Sequence, residues 1–268
     1  MTRTSVVDYA AGTLLGVVIL GQLAFFIFLT VFYTLPALAG DLLAWNANVL
    51  LQVPPVISGQ PVDTVAFGFH AIGASLISLI GGLQLIPWVR KHHPAFHRFN
   101  GRLFMLTVIA LSLSGFYLVW IRGPRPDSLS ELGTSVNGLL ILSFVVLAFN
   151  AIRRRRFADH ERWATRLFLV SHAQWFLRIG GFGFFVLAQS LGFEVGFENP
   201  FFQFWVWGCF LVPLVLTELF FRTHRSPASL VRWASASVFI LMTPLAAFGI
   251  FAFTAFLVQL TLGNVPAG

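Results

Sequence analysis

Charged residues are scarce in this chain of 268 residues, at 10% of the total, and acidic residues number only 10. A soluble domain needs roughly 25% charged residues to cover a surface that faces water. Hydrophobic residues make up 57% of the sequence instead, and the mean hydropathy is +0.82. This composition excludes a soluble globular protein. It predicts a chain whose solvent is the lipid bilayer, with a single integral membrane domain over residues 1–268.

Cysteine is nearly absent as well, since Cys209 is the only one in the sequence. One thiol excludes an intrachain disulfide, and its apolar surroundings in the sequence predict an inert buried side chain. The sequence also lacks a phosphate-binding loop and a nucleophile–base arrangement. Its basic residues lie in short runs between apolar segments, so we expect no nucleic-acid partner. Whether the protein is an enzyme is not decided by these features.

Long apolar runs are abundant. A helix that crosses the hydrocarbon core needs about 20 apolar residues, because each residue adds roughly 1.5 Å. Seven stretches reach this length, and they predict an all-α bundle of about seven transmembrane helices. The stretches lie at approximately 12–35, 64–86, 102–121, 134–152, 166–190, 201–221 and 230–258.

Arginine and lysine are distributed unevenly between the two ends of these stretches. Fourteen of the 17 basic residues fall at one end, whereas Arg122 and Arg125 fall at the other and Arg178 lies inside a stretch. Cytoplasmic loops carry the excess of Arg and Lys, so the larger group and the N-terminus are predicted to be cytoplasmic. The larger group is Arg3, Arg90, Lys91, Arg98, Arg102, Arg153 to Arg156, Arg162, Arg166, Arg222, Arg225 and Arg232.

Two loops on this basic side carry the same short signature. The first motif is HRFNGRLF at 97–104, and the second motif is HERWATRLF at 160–168. The pattern Arg-aromatic-x-x-Arg-Leu-Phe recurs at an offset of 64 residues, and each copy opens an outward-running helix. Two interpretations stay open. Either the arginines and aromatic residues anchor helix ends at anionic headgroups, or both copies converge on one ligand.

Ionisable side chains inside the apolar stretches are further candidates for chemistry. A charge in the hydrocarbon core is costly, so such a residue usually has a partner or a function. Four ionisable residues fit this description, with Gln84 as an uncharged companion. They are His70, His172, Arg178 and Glu218. A hydrogen-bonded network that only holds helices together would also explain them.

Six of the seven histidines lie at or near the basic side, which raises a redox hypothesis. A haem with two axial histidines needs imidazoles that face each other at one depth. His97 with His160, or either of them with His172, would supply such a site for a single b-type haem, or a pocket for a quinone. His70 has no histidine partner at its depth, so a two-haem relay is not expected. His93 and His97 have no acidic companion, and we predict no metal site there.

Two other classes of function stay open beside the redox hypothesis. Arginines of the two motifs would bind the charge of an anionic lipid or small solute, with polar residues of the apolar stretches as further ligand-binding groups. The residues concerned are Arg98, Arg102, Arg162, Arg166, Arg178, Gln84 and Glu218. Alternatively, the chain is a non-catalytic membrane subunit whose basic run at 153–156 docks a partner.

Several of these residues together resemble the prokaryotic predicted membrane protein family called domain of unknown function number 2306. Its features are a histidine early in one helix, a glutamine near its end, HR-x-x-GR before the next helix and H-x-x-W-x-x-R before a later one. The matching residues are His70, Gln84, His97-Arg98 with Gly101-Arg102, His160 with Trp163 and Arg166, and then Arg178. The similarity covers about residues 65–222 and implies a multi-pass protein, which we expect in the bacterial inner membrane. It implies no activity.

Overall fold

The computed structural model describes residues 5–47, 55–122, 128–196 and 199–263. These residues form helices and no strand, which confirms the predicted all-α class. In chain order the elements are α1 (Val6–Leu29), a π-helical turn (Thr30–Thr34), α2 (Leu35–Leu38), a 3₁₀ helix (Leu42–Ala47), α3 (Pro61–Leu85), α4 (Pro87–His92), α5 (Pro94–Trp120), α6 (Ser128–Arg153), α7 (Phe157–Ser171), α8 (Ala173–Ser190), α9 (Pro200–Thr223) and α10 (Ser229–Gly263).

Within the described ranges, six helical segments are long and apolar enough to cross a membrane. They are Val6–Leu38, Pro61–Leu85, Pro94–Trp120, Leu129–Arg153, Pro200–Thr223 and Ser229–Gln259. The predicted fifth span differs, because α7 and α8 are separate helices on either side of His172. α8 has 18 residues but includes Gln174, Arg178 and Gln189, which lower its apolar content. The expected count of about seven spans therefore includes one short and more polar helix.

Prolines begin the two helices that lead to and contain the first motif. Pro87 and Pro94 lie in the first turns of α4 and α5. Proline suits this place because its φ is helical and it has no amide hydrogen to leave unsatisfied. The residue before a proline avoids the helical region, and Ile86 is extended at φ −79° and ψ 112°. The short helix α4 therefore forms the connection between α3 and α5.

The chain divides into two compact units. The central unit is Gln22–Ser171, and the terminal unit combines Met1–Gly21 with His172–Gly268. In the central unit α3 packs against α5, α5 against α6 and α6 against α7. In the terminal unit α8 packs against α9 and α10. The single domain expected from the sequence stays a prediction.

Glycine allows the closest helix approach in the terminal unit. A Cβ atom on Gly249 of α10 would lie 2.5 Å from the carbonyl oxygen of Ile179 on α8. A Cβ atom on the neighbouring Gly183 would lie 3.2 Å from the Cα atom of Gly249. Because backbone atoms cannot move aside as a flexible side chain can, these two helices pack through small residues, as transmembrane helices commonly do.

Candidate functional site

α3 and α5 run antiparallel in the central unit and share a line of polar contacts, here called the seam. Four contacts define its course from one end to the other. Hydrogen bonds join Asp63 to Tyr117, His70 to Ser114 and Ile80 to Asn100, and in the fourth contact the backbone of Gly101 packs beside the Gln84 amide. Asp63, His70 and Gln84 are separated by multiples of seven residues, which places them on one face of α3. The seam therefore contains His70 and Gln84, two residues that the sequence singled out.

Residues of the first motif hold one end of the seam, here called the motif end. Asn100 is buried and donates a hydrogen bond from Nδ2 to the carbonyl oxygen of Ile80, at 3.0 Å. A Cβ atom on Gly101 would lie 3.0 Å from the Oε1 atom of Gln84. The glycine thus leaves the space that the Gln84 amide occupies, and α5 packs closely against the end of α3.

Two buried nitrogen atoms at the motif end have no hydrogen-bond partner among the described residues. They are Nε2 of Gln84 and Nδ1 of His97. An unsatisfied buried polar group costs about 1–3 kcal/mol, so native proteins usually supply it with a partner, an ion or a water molecule. His97 also lies within electrostatic range of Arg90, Arg98 and His160. The motif end is consequently basic, and two of its nitrogen atoms can still form hydrogen bonds.

The second motif serves to dock α7 on α6. His160 donates from Nδ1 to the carbonyl oxygen of Ala148, at 2.9 Å. The ring of Trp163 packs against Phe144 with a centroid separation of 5.5 Å. The Arg166 guanidinium carbon then lies 4.6 Å from the centre of the Trp163 ring, in a cation–π contact. Three residues of the family signature therefore have structural contacts here.

The arginines of the two motifs differ in their surroundings. Arg98 and Arg102 of the first motif are exposed, as is Arg162 of the second. An ion pair of 3.5 Å between Arg90 and Glu161 joins α4 to α7. An exposed pair of this kind contributes at most about 1 kcal/mol. Its value here is positional, because it places the beginnings of α5 and α7 at the same end of the central unit.

Three of the predicted site residues belong to the terminal unit. His172 is 3% exposed and precedes the first residue of α8. Arg178 donates from Nη1 to the carbonyl oxygen of Gln174, at 2.6 Å. The participation of His172 in a pocket with His97 and His160 stays a prediction.

Arg178 and Glu218 lie at different levels of the terminal unit. Trp205 of α9 donates from Nε1 to the carbonyl oxygen of Phe176 at 3.3 Å, which sets the register of α9 on α8. Glu218 follows Trp205 by 13 residues, or about 20 Å along a helix.

His70 lies in the other half of the seam. Its Nδ1 atom is 2.9 Å from Oγ of Ser114, and the tautomer of the ring decides which atom donates. One partner of this histidine is thus a serine on α5. The sequence showed that no histidine was available at this depth, and it did not indicate the serine.

A charged cluster lies at the far end of the seam and is here called the Asp63 cluster. The sequence patterns did not indicate it. It consists of Asp63, Phe67, Tyr117 and Arg122. The Tyr117 hydroxyl donates to Oδ1 of Asp63 at 2.6 Å, and Asp63 is only 9% exposed. The seven-residue spacing of Asp63 and His70, with the three-residue spacing of Ser114 and Tyr117, is the signal that would have revealed it.

Arg122 completes the Asp63 cluster from the residues that follow α5. Its guanidinium carbon is 5.4 Å from the centre of the Phe67 ring, and Nη2 donates to the carbonyl oxygen of Pro55 at 3.2 Å. Burial lowers the pKa of the Arg122 guanidinium from its ordinary value, while the nearby Asp63 and Tyr117 act to raise it. The opposing charges of Asp63 and Arg122 thus stabilise each other at the helix ends.

Comparison with known proteins gives one match. A family model described as predicted membrane protein (DUF2306) matches residues 67–221, which is more than half of the chain and agrees with the range of about 65–222 expected from the resemblance. No curated protein and no solved structure matches the chain. The matched range contains both motifs and most of the seam. The chain belongs to the predicted membrane protein family DUF2306.

Proposed function

We propose that this protein binds the headgroup of an anionic lipid at the motif end of the seam. The observation that supports this function is the pair of unsatisfied nitrogens, Nε2 of Gln84 and Nδ1 of His97, beside the exposed Arg98 and Arg102. A phosphate oxygen accepts several hydrogen bonds at once, and arginine is the side chain best suited to bind it. The four side chains match the needs of one phosphate group.

The position of these groups on α5 adds to the attraction. His97 and Arg98 lie in the first turns of a helix that begins at Pro94. The N-terminal end of a helix carries a partial positive charge, which favours an anion there. Gly101 has no side chain that would keep a headgroup away from Gln84. Gln84 and His97 therefore supply direct hydrogen bonds, and Arg98 and Arg102 supply charge at the rim.

Exposed aromatic side chains around the motif end favour a lipid over a water-soluble anion. Trp88, Phe96 and Phe99 are all largely exposed, and Phe99 is 65% exposed. Aromatic rings at a helix end are typical of the membrane interface, where a headgroup and its acyl chains meet. The arrangement thus presents donors to the phosphate and rings to the chains.

Thermal unfolding in nanodiscs tests this function. Phosphatidylglycerol should stabilise the wild-type protein relative to phosphatidylcholine, by about 3 kcal/mol at a lipid concentration 100 times the dissociation constant. The double variant Arg98→Gln with Arg102→Gln should lose most of this gain, and high salt should weaken it. Arg154→Gln with Arg155→Gln removes the same charge from exposed residues after α6 and serves as the matched control. Equal loss in both double variants would reduce the effect to general surface charge and contradict the proposal.

A b-type haem is the second candidate, and one contact favours it. Histidines that bind a metal usually donate their other ring nitrogen to a carbonyl or carboxylate. His160 does so to Ala148, which leaves its Nε2 atom for a ligand, and His97 lies within electrostatic range. A bound haem would supply one-electron chemistry, and a Soret band in purified protein that is lost in His160→Ala would identify it. Folded protein that shows no such band, although the cells were grown with ample haem, would rule out this candidate.

A quinone at Gln84 and His97 would instead compete with the lipid, and added quinone should then lower the lipid-dependent stabilisation.

A further inference from the structure

We propose that His70 is a proton-binding site that exchanges protons with water through the Asp63 cluster, and that Leu111 closes the path beyond it. This function is separate from the headgroup site at the motif end. His70 lies about 14 Å along α3 from its first residue, well inside a predicted span. An ionisable group at such depth calls for a partner or a function.

The hydrogen bonds of the seam contain the parts of a proton relay. The Ser114 hydroxyl has two acceptors within reach, the carbonyl oxygen of Leu111 at 3.1 Å and Nδ1 of His70 at 2.9 Å. Tyr117 is three residues further along α5 on the same side, and its hydroxyl contacts Asp63 at 2.6 Å. Ser114 and Tyr117 are three residues apart on α5, about 4.5 Å along its axis, and the proposed relay places water between their hydroxyls.

The transfer is a series of proton exchanges in which no bond other than O–H and N–H changes. A proton from the bulk water binds the Asp63 carboxylate, which passes a proton to the Tyr117 oxygen while the phenolic proton moves to the intervening water, and that water gives a proton to the Ser114 oxygen. Ser114 in turn gives its hydroxyl proton to Nδ1 of His70. The imidazole becomes a cation, Asp63 returns to a carboxylate, and one proton has left the bulk water.

The middle of the seam is apolar and blocks further transfer. A Cβ atom on Gly73 would lie 2.7 Å from Cδ2 of Leu111, so the leucine side chain fills the space over the glycine. Ile77 and Val108 are buried about one helical turn further along α3 and α5, on the side away from the Asp63 cluster. The hydroxyls nearby are also engaged, since Ser112 donates to the carbonyl oxygen of Val108 on its own helix. The relay therefore ends at His70.

Few other titratable or charged groups face His70 from the elements packed around it. Among the described residues they are Asp63 on α3, Tyr117 on α5, Arg122 after α5 and Tyr33 in the π-helical turn, which packs against α3. Tyr33 is buried against Phe67 and Trp45. Asp63 is thus the acid through which protons reach the histidine.

Hydrogen–deuterium exchange at the imidazole Cε1 atom, read by mass spectrometry on the full chain in nanodiscs, tests the relay. This exchange requires water and follows the protonation of the ring. His70 should exchange with a sigmoidal dependence on pH. In Leu111→Ser proteoliposomes, Tyr117→Phe should lower the proton leak several-fold, because it removes a hydroxyl from the path. Tyr9→Phe, at an exposed tyrosine of α1, is the matched control. Absence of exchange at His70 at every pH, or an equal leak with and without Tyr117→Phe, would overturn the relay. If Tyr117→Phe fails to fold, Asp63→Asn replaces it with the same expectation.

Proton permeability of proteoliposomes tests the closure at Leu111. Leu111→Ser should admit a proton leak under a potassium diffusion potential, and His70→Phe in the same chain should reduce that leak several-fold. Leu113→Ser makes the same change at an exposed position of the same helix and should leave the vesicles tight. A folded Leu111→Ser protein that is as tight as Leu113→Ser, or a leak that is indifferent to His70, would overturn the closure. Leu111→Ala serves in the same way where the serine variant does not fold.

Discussion

The two motifs have nearly the same sequence and different contacts. In the second motif His160 binds a carbonyl of α6, Trp163 packs on Phe144 and Arg166 lies over the tryptophan ring. In the first motif the corresponding histidine has an unsatisfied nitrogen and the corresponding aromatic residue, Phe99, is exposed. Both copies therefore contribute to helix packing, and the first copy also has a buried nitrogen without a partner and an exposed aromatic ring.

This difference shows why a repeated signature is not evidence of a repeated role. Both interpretations that the sequence left open stay predictions. The second motif packs α7 on α6, and the first leaves Nδ1 of His97 unsatisfied near the exposed Arg98 and Arg102. The proposed headgroup site therefore consists of fewer residues than the sequence suggested, namely Gln84, His97, Arg98 and Arg102.

The largest expected contrast lies at the aromatic positions of the two motifs. Trp163→Ala should destabilise the protein by about 2 kcal/mol, below the range for a fully buried tryptophan because this ring is half-buried. Phe99→Ala should cost less than about 0.5 kcal/mol, as exposed positions usually do. Reversible unfolding in detergent measures both, and equal losses would remove the distinction between the motifs.

The histidines should differ in the sign of the effect. His→Phe keeps the ring and removes the nitrogens. His160→Phe should therefore cost about 1–2 kcal/mol, because the hydrogen bond to Ala148 is lost. His97→Phe should be neutral or stabilising without lipid, since it removes an unsatisfied buried nitrogen, and should lower the stabilisation by phosphatidylglycerol. The same unfolding assay with and without this lipid reports both quantities. Destabilisation of similar size by both substitutions would mean that His97 has a structural partner after all.

Gly101→Ala should give the smallest change in stability, and it tests whether Gln84 contacts the headgroup. The added Cβ atom would stand 3.0 Å from Oε1 of Gln84, so the flexible amide must shift by a few tenths of an ångström. Alanine favours a helix over glycine by about 1 kcal/mol, which offsets that cost. The unfolding free energy should stay within about 1 kcal/mol of wild type, while lipid binding weakens measurably. Unchanged lipid binding would show that Gln84 does not contact the headgroup.

Sequence patterns predicted the architecture better than they predicted the site. Apolar length indicated the helices, and the family signature indicated His70, Gln84 and both motifs, because these signals are carried by single segments. The break at His172 and the Ser114 partner of His70 depend on contacts between segments. The Asp63 cluster escaped for the same reason, since Asp63 and Tyr117 are 54 residues apart and become neighbours only when α3 and α5 pair.

Native mass spectrometry of bound phosphatidylglycerol tests the distinction between the motifs most directly. Arg98→Gln with Arg102→Gln should remove the retained lipid, whereas Arg162→Gln with Arg166→Gln should keep it, each compared with wild type under one activation energy. Loss of lipid from the second pair alone, or equally from both, would contradict the assignment of the headgroup site to the first motif.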